Sequence, residues 1–330
     1  MGGISPEREV SLRSGEAIVR HLSPERYEVI PIEIRADGSW GRRNESTLSE
    51  HPSDGTPSFL LHERVDLVFI ALHGVGGEDG SVQGLLESFG IPYTGSGVLA
   101  SALGMDKAVC KIILRDAGVA TPAWFSIRSD DPFGKRILIE GGRKLGLPVI
   151  VKPRNSGSSI GVFRAENLLE LEEHVNDVLN RFGSVLVEEF IEGREFTCGV
   201  LGNCGADTLS PLPVTEVRYT TPIFDYISKY NEDGAEEITP AEVSSKEGDE
   251  IQKTAVWAHR ALGCDGLSRV DMILGRKGLY VLEVNTIPGM TERSLCPQEA
   301  EVAGMGFSGL LDRIVELAME KAARPLVSLA

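Results

Sequence analysis

Strand-like and helix-like patterns of apolar residues alternate along the first hundred residues. YEVIPIEI at 27–34 and VDLVFIAL at 65–72 have the dense apolar pattern of strands. SVQGLLESFG at 81–90 instead has the spacing of an amphipathic helix. This alternation predicts an α/β domain with an open sheet over residues 1–100.

The pattern changes after residue 100 and predicts a small α+β domain over 101–190. Residues 96–118 are predicted to be helical, and Gly118 is a plausible end of that helix. The elements predicted next are a strand ending at Lys152, a strand at 160–164, an amphipathic helix at 167–181 and the strand SVLVEEF at 184–190.

Residues 191–330 again alternate strand and helix patterns and close with a predicted helix at 307–321. We assign them to a third, α+β domain. The polar stretch at 228–247 has too few apolar residues for a core element, and we predict a mobile surface loop there.

Composition narrows the class of protein. The 330 residues, 42% hydrophobic and 25% charged, are enough for two or three globular domains. A net charge of -16 argues against nucleic acid and anionic membranes as partners, so an anionic ligand would need a local basic cluster. Five widely spaced cysteines suggest neither disulfides nor zinc, and no apolar run could span a membrane. With no signal peptide evident, we expect a cytoplasmic protein.

Two glycine-containing segments are candidate phosphate sites. GSGVLA at 95–100 matches a dinucleotide fingerprint, but the acidic residue expected about 20 positions later would fall at Asp116, inside a helical pattern. We therefore predict only a helix N-terminus packed on a sheet. In IVKPRNSGSSIGV at 150–162, Lys152 ends an apolar strand before a loop of small residues. Such a loop can wrap phosphate or form a hairpin tip.

The segment RVDMILGRKGLYVLEVNTIPG, at 269–289, contains the strongest cluster of candidate ligands. Glu283 and Asn285 project from one strand face, about 7 Å apart. A three-residue hairpin loop at 276–278, with Gly278 in a left-handed conformation, would place Asp271 opposite Glu283. One carboxylate alone would suggest a solvated sheet face, whereas three oxygen donors in register suit Mg2+.

Three kinds of residue leave a functional and a structural interpretation open. For Lys107 a functional role and a solvated surface position are equally open. His73 ends a strand before a glycine loop, and a structural hydrogen bond to that loop is favoured over acid–base chemistry. Three methionines are predicted to fill the core, namely Met105, Met272 and Met290.

A resemblance to a known family covers nearly the whole chain. The ordered motifs that carry it are SPEREVS, ALHGVGGEDG, GIPYTGSG, MDK, VIVKPRNSGSSIGV, EEFIEGREFT, FDYISKY, RVDMIL and EVNTIPGMTERSL. In these motifs the chain resembles the D-alanine–D-alanine ligases of the ATP-grasp superfamily. The resemblance implies three domains, with ATP between the central and C-terminal ones and residues 154–160 as a flap over its phosphates. The implied activity is ATP-dependent ligation of two D-alanines through a D-alanyl phosphate, for peptidoglycan precursors, by a cytoplasmic homodimer.

The resemblance also implies roles at the nucleotide. Lys107 and Lys152 would neutralise the α- and β-phosphates, and Lys229 would reach the γ-phosphate. Two Mg2+ ions, for which Mn2+ could substitute, would be held by Asp271, Glu283 and Asn285. Adenine would meet the segment that contains Glu188, Glu189 and Ile191, and ribose would meet Glu195.

At the amino acids, Glu7 would pair with the ammonium of the first D-alanine, with His73 beside it. Arg269 and the N–H of Gly289 would form the oxyanion hole. The carboxylate of the second D-alanine would be bound by Ser294 and the backbone of Leu295. The residues expected to link the flap and the loop across the closed site are Ser158, Tyr230 and Glu7.

Two positions depart from the family pattern. The sequence begins at Met1-Gly2-Gly3, without the apolar strand that precedes these glycines in the family, and Arg293 stands where histidine or a small residue is expected. The alternatives are a D-alanine–D-lactate ligase, another ATP-grasp carboxylate–amine ligase and a regulatory nucleotide-binding module. In the family Tyr230 marks dipeptide synthesis, and a regulatory module would have lost metal ligands or the oxyanion arginine.

Overall fold

The computed structural model describes residues 1–43, 55–63, 65–157, 160–205, 209–219 and 235–323. The helices are α1 (Arg8–His21), α2 (Leu60–Glu63), α3 (Ser81–Phe89), α4 (Val98–Met105), α5 (Lys107–Asp116), α6 (Gly134–Leu145), α7 (Leu168–Phe182), α8 (Ser245–Leu262), α9 (Leu295–Val302) and α10 (Gly306–Ala322). The strands are β1 (Ile32–Ile34), β2 (Trp40–Arg42), β3 (Trp124–Arg128), β4 (Val149–Pro153), β5 (Phe163–Ala165), β6 (Ser184–Glu189), β7 (Gly193–Leu201), β8 (Ser210–Pro211), β9 (Thr215–Tyr219), β10 (Ala235–Ile238), β11 (Leu267–Gly275) and β12 (Gly278–Asn285).

The central part of the chain forms a four-stranded antiparallel sheet with the order β3-β6-β4-β5. Its β-branched residues pack against apolar residues of α7 that recur at helical spacing. That core contains Val149, Val151, Val185, Val187, Leu171, Val175 and Val178. The predicted helix at 167–181 and the strands around Lys152 and at 184–190 are confirmed. The strand predicted at 160–164 forms only at Phe163–Ala165, because Gly161 turns the chain with a φ of 77°.

A six-stranded sheet follows, in which β10, β9, β7, β11 and β12 are neighbours in that order and β8 pairs with β7. Helices α5 and α8 pack against it and bury one continuous core. That core includes Leu114, Phe196, Ile251, Ala255, Leu262, Val270, Met272 and Val281. Its burial of Met272 agrees with the predicted packing role of that methionine.

The hairpin between β11 and β12 reaches the predicted pairing by a different route. Asp271 does lie opposite Glu283. The loop, however, has two residues rather than three, because Gly275 pairs directly with Gly278. A register shift after Asp271 leaves Leu282 as the extra residue of a β-bulge, which restores the alignment. Gly278 has a φ of 130°, a conformation that favours glycine.

The helix predicted across 96–118 is two helices, and this prediction was wrong at one residue. Asp106 has non-helical backbone angles, and its carboxylate accepts hydrogen bonds from the N–H groups of Ala108 and Val109. It therefore caps α5, as aspartate commonly does at a helix start. Gly118 follows α5 with a φ of 79°, as predicted for the helix end.

The prediction of one loop over 228–247 was wrong for 235–247, whereas 228–234 lies outside the described residues. Ala235–Ile238 forms the edge strand β10, which pairs with β9 and exposes Glu236 and Glu237. Backbone pairing rather than apolar burial holds such a strand, so its sequence is polar. Helix α8 begins after Ser244, and Ser244 and Glu247 form a reciprocal capping box that the letters SSKE could have indicated.

In the N-terminal segment, strand pairing is limited to two isolated parallel bridges and one short antiparallel pair, beside which the helices pack. Gly2 bridges Ile34 and Val68 bridges Tyr93, both in parallel, and β1 pairs with β2. The apolar run at 65–72 lies in a core with α3, although regular pairing there is limited to the single bridge at Val68. All five cysteines are free. Within the described ranges, every helix is too short or too polar to cross a lipid bilayer.

The capping box predicts a measurable contribution to stability. Ser244→Ala should lower the unfolding free energy by about 1 kcal/mol, because the backbone N–H of Glu247 loses its acceptor. Urea unfolding followed by circular dichroism measures this change. Ser245→Ala, one position into the helix, is the matched control and should have less than half that effect. Equal effects of the two substitutions would remove the cap from the explanation.

Candidate active site

A cavity of about 380 Å³ lies where the N-terminal segment and the two larger sheets meet. Every predicted site residue within the described ranges lines it. They are Glu7, His73, Lys107, Lys152, Glu188, Glu189, Ile191, Glu195, Arg269, Asp271, Glu283, Asn285, Gly289, Ser294 and Leu295. Three other predicted residues, Ser158, Lys229 and Tyr230, lie outside the described residues.

The acidic face of the β11–β12 hairpin is paired with cations of the same cavity. Asp271 accepts two hydrogen bonds of 2.7 Å from Nε and Nη2 of Arg269, and one of 2.9 Å from Thr197. Glu283 lies 2.9 Å from Nζ of Lys107. The amide oxygen of Asn285 accepts from the backbone of Ile287 at 3.0 Å.

Both cations keep their protons in this arrangement. Burial by itself would lower the pKa of the Arg269 guanidinium, but the charge and hydrogen bonds of Asp271 outweigh it, and the net shift is strongly upward. Burial would likewise lower the pKa of Lys107, but the charge and hydrogen bond of Glu283 outweigh burial, and the net pKa is raised. The hairpin therefore contains charge pairs rather than neutral polar groups.

A second charged cluster joins the central sheet to α5. Nζ of Lys152 lies 2.5 Å from one carboxylate oxygen of Glu188, and Nζ of Lys111 lies 2.8 Å from the other. Lys111 also donates a hydrogen bond of 2.7 Å to Thr121. Burial would raise the pKa of Glu188, but the two lysines outweigh it and the net pKa is lowered.

Sequence reasoning missed Lys111. Its side chain is fully buried, and it shares the inward face of α5 with Cys110 and Leu114. A lysine at an apolar position of a helical pattern was the signal that could have found it.

The start of α5 is fastened to the end of β4. The Asp106 carboxylate accepts two hydrogen bonds of 2.7 Å from Nε and Nη2 of Arg154, and the Arg154 carbonyl accepts one of 3.1 Å from the Lys107 N–H. Lys107 and Lys152 are thereby held on neighbouring elements at the entrance to the predicted flap. A bidentate arginine–carboxylate pair gives this junction a defined geometry.

On the N-terminal side, the Glu7 carboxylate lies between two glycines. A Cβ atom on Gly157 would stand 2.8 Å from an oxygen of Glu7, and one on Gly74 would overlap its other oxygen. His73 is buried, with Nε2 3.0 Å from the Ser14 hydroxyl and Nδ1 3.7 Å from the carboxylate of Glu78. The main hydrogen bond of His73 is thus to α1, and its contact with the glycine loop is through Glu78.

The opposite wall is built around the start of α9. Ser294 is the N-cap residue, and its hydroxyl accepts a hydrogen bond of 3.0 Å from the Thr291 N–H. Gln298 donates to the Arg293 carbonyl at 2.8 Å and to Glu237 of β10 at 2.7 Å. The first bond stays at the start of α9, and the second connects α9 to the edge strand β10.

Two further residues of the site region were not found from the sequence. Tyr219 lines the cavity and hydrogen-bonds Glu195; burial and that carboxylate together raise its pKa. Glu299 is fully buried on α9 and accepts a hydrogen bond of 2.7 Å from the Gly199 N–H. Its spacing from Cys296 and Ala300 was the available signal, because these residues share one helix face.

The donor set of the hairpin fits a hard divalent cation. Asp271 and Glu283 supply anionic oxygens from neighbouring strands, and Asn285 adds a neutral one, all facing the same cavity. Oxygen-only donors suit Mg2+ better than zinc or copper. In the described part of the chain, no three His, Cys, Asp or Glu residues form a metal site by themselves, so solvent or phosphate oxygens would complete this one.

Comparison with known proteins gives concordant results. The family described as D-ala D-ala ligase N-terminus matches residues 1–96, and the one described as D-ala D-ala ligase C-terminus matches residues 113–316. A D-alanine–D-alanine ligase of Desulforudis audaxviator is 44% identical over 322 residues, which cover 97% of both chains. One from Desulfotalea psychrophila is 43% identical over 326 residues, covering 97% of this chain and 94% of that one.

Two solved structures are similar over almost their whole length. The VanG D-Ala:D-Ser ligase of Enterococcus faecalis superposes with a TM-score of 0.85 at 33% identity, covering 96% of this chain and 97% of that one. The D-alanine–D-alanine ligase of Bacillus anthracis complexed with ATP superposes with a TM-score of 0.79 at 32% identity, covering 98% and 96%.

The buried carboxyl of Glu299 predicts a pH-dependent stability. Burial raises its pKa to about 8 from an ordinary 4.5. Because the folded state holds this proton more tightly than the unfolded state, the contribution is complete below pH 4.5 and is lost as pH rises through 8. This difference corresponds to at most about 5 kcal/mol.

Glu299→Gln should therefore remove much of the fall in unfolding free energy between pH 5 and pH 9, as measured by urea titrations at each pH. Glu301→Gln is the matched control, because Glu301 is exposed on the same helix. A profile for Glu299→Gln that parallels the unmodified protein would contradict this assignment.

Proposed function

Because this chain belongs to the D-alanine–D-alanine ligase family, we propose that the cavity described above is where ATP activates one D-alanine for attack by a second. The chain is an ADP-forming ligase that makes D-alanyl-D-alanine for peptidoglycan precursors. The observation that carries the proposal is the pairing of Asp271 opposite Glu283, with Lys107 and Lys152 facing the same cavity.

We assign the divalent cation to the β11–β12 hairpin. Asp271, Glu283 and Asn285 would hold Mg2+, with two ions expected and Mn2+ as a substitute. Bound there, the metal supplies charge neutralisation for the phosphates of ATP. The proposal is supported by the shared face and the oxygen-only chemistry of the three donors.

ATP itself would lie between the two larger sheets. Lys107 and Lys152 provide the cations for its α- and β-phosphates, and Lys229 is assigned to the γ-phosphate. The backbone of Glu188, Glu189 and Ile191 would contact adenine. Glu195 would bind ribose, and the hydrogen bond from Tyr219 supports its orientation.

The first D-alanine is assigned to the N-terminal side of the cavity. Glu7 pairs with its ammonium beside His73 and leaves its carboxylate free. A carboxylate oxygen attacks the γ-phosphorus, the bond to the bridging oxygen breaks, and ADP leaves. Positioning and charge stabilisation account for such a phosphoryl transfer.

The second D-alanine then attacks the acyl phosphate through its amine. Its neutral amine nitrogen bonds to the carbonyl carbon and the carbonyl oxygen becomes an oxyanion. As the carbonyl reforms, the bond to the phosphate oxygen breaks, and the proton lost by the nitrogen leaves with the phosphate. The Gly289 N–H and Arg269 stabilise that oxyanion. Because Asp271 occupies Nε and Nη2 of Arg269, we assign Nη1 as the arginine donor.

The carboxylate of the second substrate is assigned to the start of α9, at the Ser294 hydroxyl and the Leu295 backbone. Ser158 and Tyr230, together with Glu7, are proposed to close the site. We also propose three domains with boundaries at 100 and 190, a homodimer, and a cytoplasmic location. These assignments rest on the family resemblance and on the acidic, disulfide-free composition.

The metal assignment predicts the behaviour of Glu283→Gln. The substitution removes a charge with little change in volume, so turnover of ATP and D-alanine should fall by about two orders of magnitude or more. Phosphate release measures turnover, and Mg2+ titration should show a higher half-saturating concentration. Glu292→Gln, which removes an exposed carboxylate beyond the hairpin, is the control. Unchanged turnover in Glu283→Gln would contradict the assignment.

The acceptor preference gives a separate prediction. With D-alanine, D-serine and D-lactate present together at neutral pH, the main product should be D-alanyl-D-alanine. Tyr230→Phe should raise the share of D-alanyl-D-lactate, since the tyrosine hydroxyl is expected to favour an amine nucleophile. Mass spectrometry of the products measures both. Mainly D-alanyl-D-serine or D-alanyl-D-lactate from the unmodified protein would overturn this specificity.

A further inference from the structure

Lys111 is a buried ammonium that none of the assigned roles uses. Its side chain is 0% exposed, and its Nζ contacts two oxygens, the Thr121 hydroxyl at 2.7 Å and Glu188 Oε2 at 2.8 Å. Burying an amino group that could instead be solvated is costly unless it has such partners. A feature of this kind beside a ligand cavity requires an explanation.

Charge balance around Glu188 suggests what Lys111 does. Glu188 Oε1 lies 2.5 Å from Lys152, the lysine at the end of β4 that lines the cavity. A carboxylate this close would cancel most of the lysine's field at a phosphate, because the two opposite charges would form a neutral pair. Lys111, on the second oxygen, balances that carboxylate and leaves the three groups with a net charge of +1.

We propose that Lys111 is a positioning residue for the nucleotide, which neutralises Glu188 and so leaves the positive charge of Lys152 available to the phosphates of ATP. This inference rests on the proposed function, in which Lys152 contacts phosphate. Thr121 completes the arrangement by fixing Nζ on the buried side, so that the Glu188 carboxylate is held between two ammonium groups.

The position of Lys111 in the fold supports this role. It lies one helical turn after Lys107 on α5, whose start is fastened to β4 by the Asp106–Arg154 pair. The same helix thus supplies one cation directly to the cavity and a second to the carboxylate behind Lys152. Burial lowers the pKa of Lys111, and the neighbouring Glu188 opposes that loss.

A role in charge balance differs from simple packing in one measurable way. Lys111→Met keeps most of the volume but leaves Lys152 and Glu188 as a neutral pair. The double substitution Lys111→Met with Glu188→Gln restores the net charge of +1 without restoring the lysine. If Lys111 acts through charge, the double variant recovers phosphate binding; if it acts through packing, the double variant does not.

Calorimetric titration with ADP and with adenosine, both in the presence of Mg2+, tests the proposal. Lys111→Met should weaken ADP binding about tenfold or more, which corresponds to about 1.4 kcal/mol. Its effect on adenosine, which has no phosphates, should stay below about threefold. Lys111→Arg and the double variant should both bind ADP within about threefold of the unmodified protein.

A matched control and a folding check accompany these titrations. Lys321→Met removes another ion-paired, partly buried lysine that does not line the cavity, and should leave ADP binding unchanged. Thermal melting identifies variants that are not folded. If Lys111→Met fails to fold, the other three variants, Lys111→Arg, the double variant and Glu188→Gln, still test how ADP affinity depends on the charge beside Lys152. Glu188→Gln alone, which leaves the backbone assigned to adenine unchanged, removes the carboxylate that offsets Lys152, so it should bind ADP at least as tightly as the unmodified protein.

Three results would overturn the inference: unchanged ADP binding in a folded Lys111→Met variant, equal losses for ADP and adenosine, or a double variant as weak as the single one. If Lys111→Met is not folded, an ADP affinity of Glu188→Gln well below that of the unmodified protein overturns it. Failure of the unmodified protein to bind ADP would instead contradict the proposed function, so the two failures are distinguishable.

Discussion

The buried charges of the β11–β12 hairpin and of the Glu188 cluster must be balanced within a few ångströms, because an unpaired ion there would lose its hydration without compensation. The structure meets this constraint with its own side chains. Asp271 is paired with Arg269, Glu283 with Lys107, and Glu188 with two lysines. Strands β4, β6, β11 and β12 and helix α5 must therefore keep their relative positions, or one of these groups would be buried without its partner.

The same pairing has a consequence for ligand binding. A phosphate that approached Lys107 alone would separate it from Glu283 and leave the carboxylate unbalanced. A cation that approached Glu283 alone would leave Lys107 unbalanced. In the proposed function phosphate and metal arrive together, so each released group would meet a new partner of opposite charge and the two would bind cooperatively. A site of this kind favours the metal–nucleotide complex over either component.

Much of this arrangement could be predicted from the sequence, and the exceptions have physical causes. The predicted hairpin register placed Asp271 opposite Glu283, but its loop was one residue too long, and the pairing holds because the unforeseen bulge at Leu282 offsets that error. Strand β10 was missed because pairing with β9, not apolar burial, holds it. Lys111 and Glu299 interrupt apolar helix faces, which was a usable local signal, but their partners, Glu188 and Gly199, are distant in sequence, and no local pattern predicts those pairings.

Glycine, rather than a charged residue, limits the geometry on the N-terminal side. Gly157 does not have a positive φ, so its backbone conformation does not require glycine. Its requirement is steric, because a Cβ atom would stand 2.8 Å from the Glu7 carboxylate, closer than such contacts allow. An alanine there would displace either Glu7 or the strand-to-flap connection after Pro153. Since a Cβ atom on Gly74 would overlap the other oxygen of the same carboxylate, the backbone lies close to Glu7 on that side as well. The two glycines therefore hold Glu7 against both the N-terminal loop and the flap, and the spacing between these segments is set by one carboxylate.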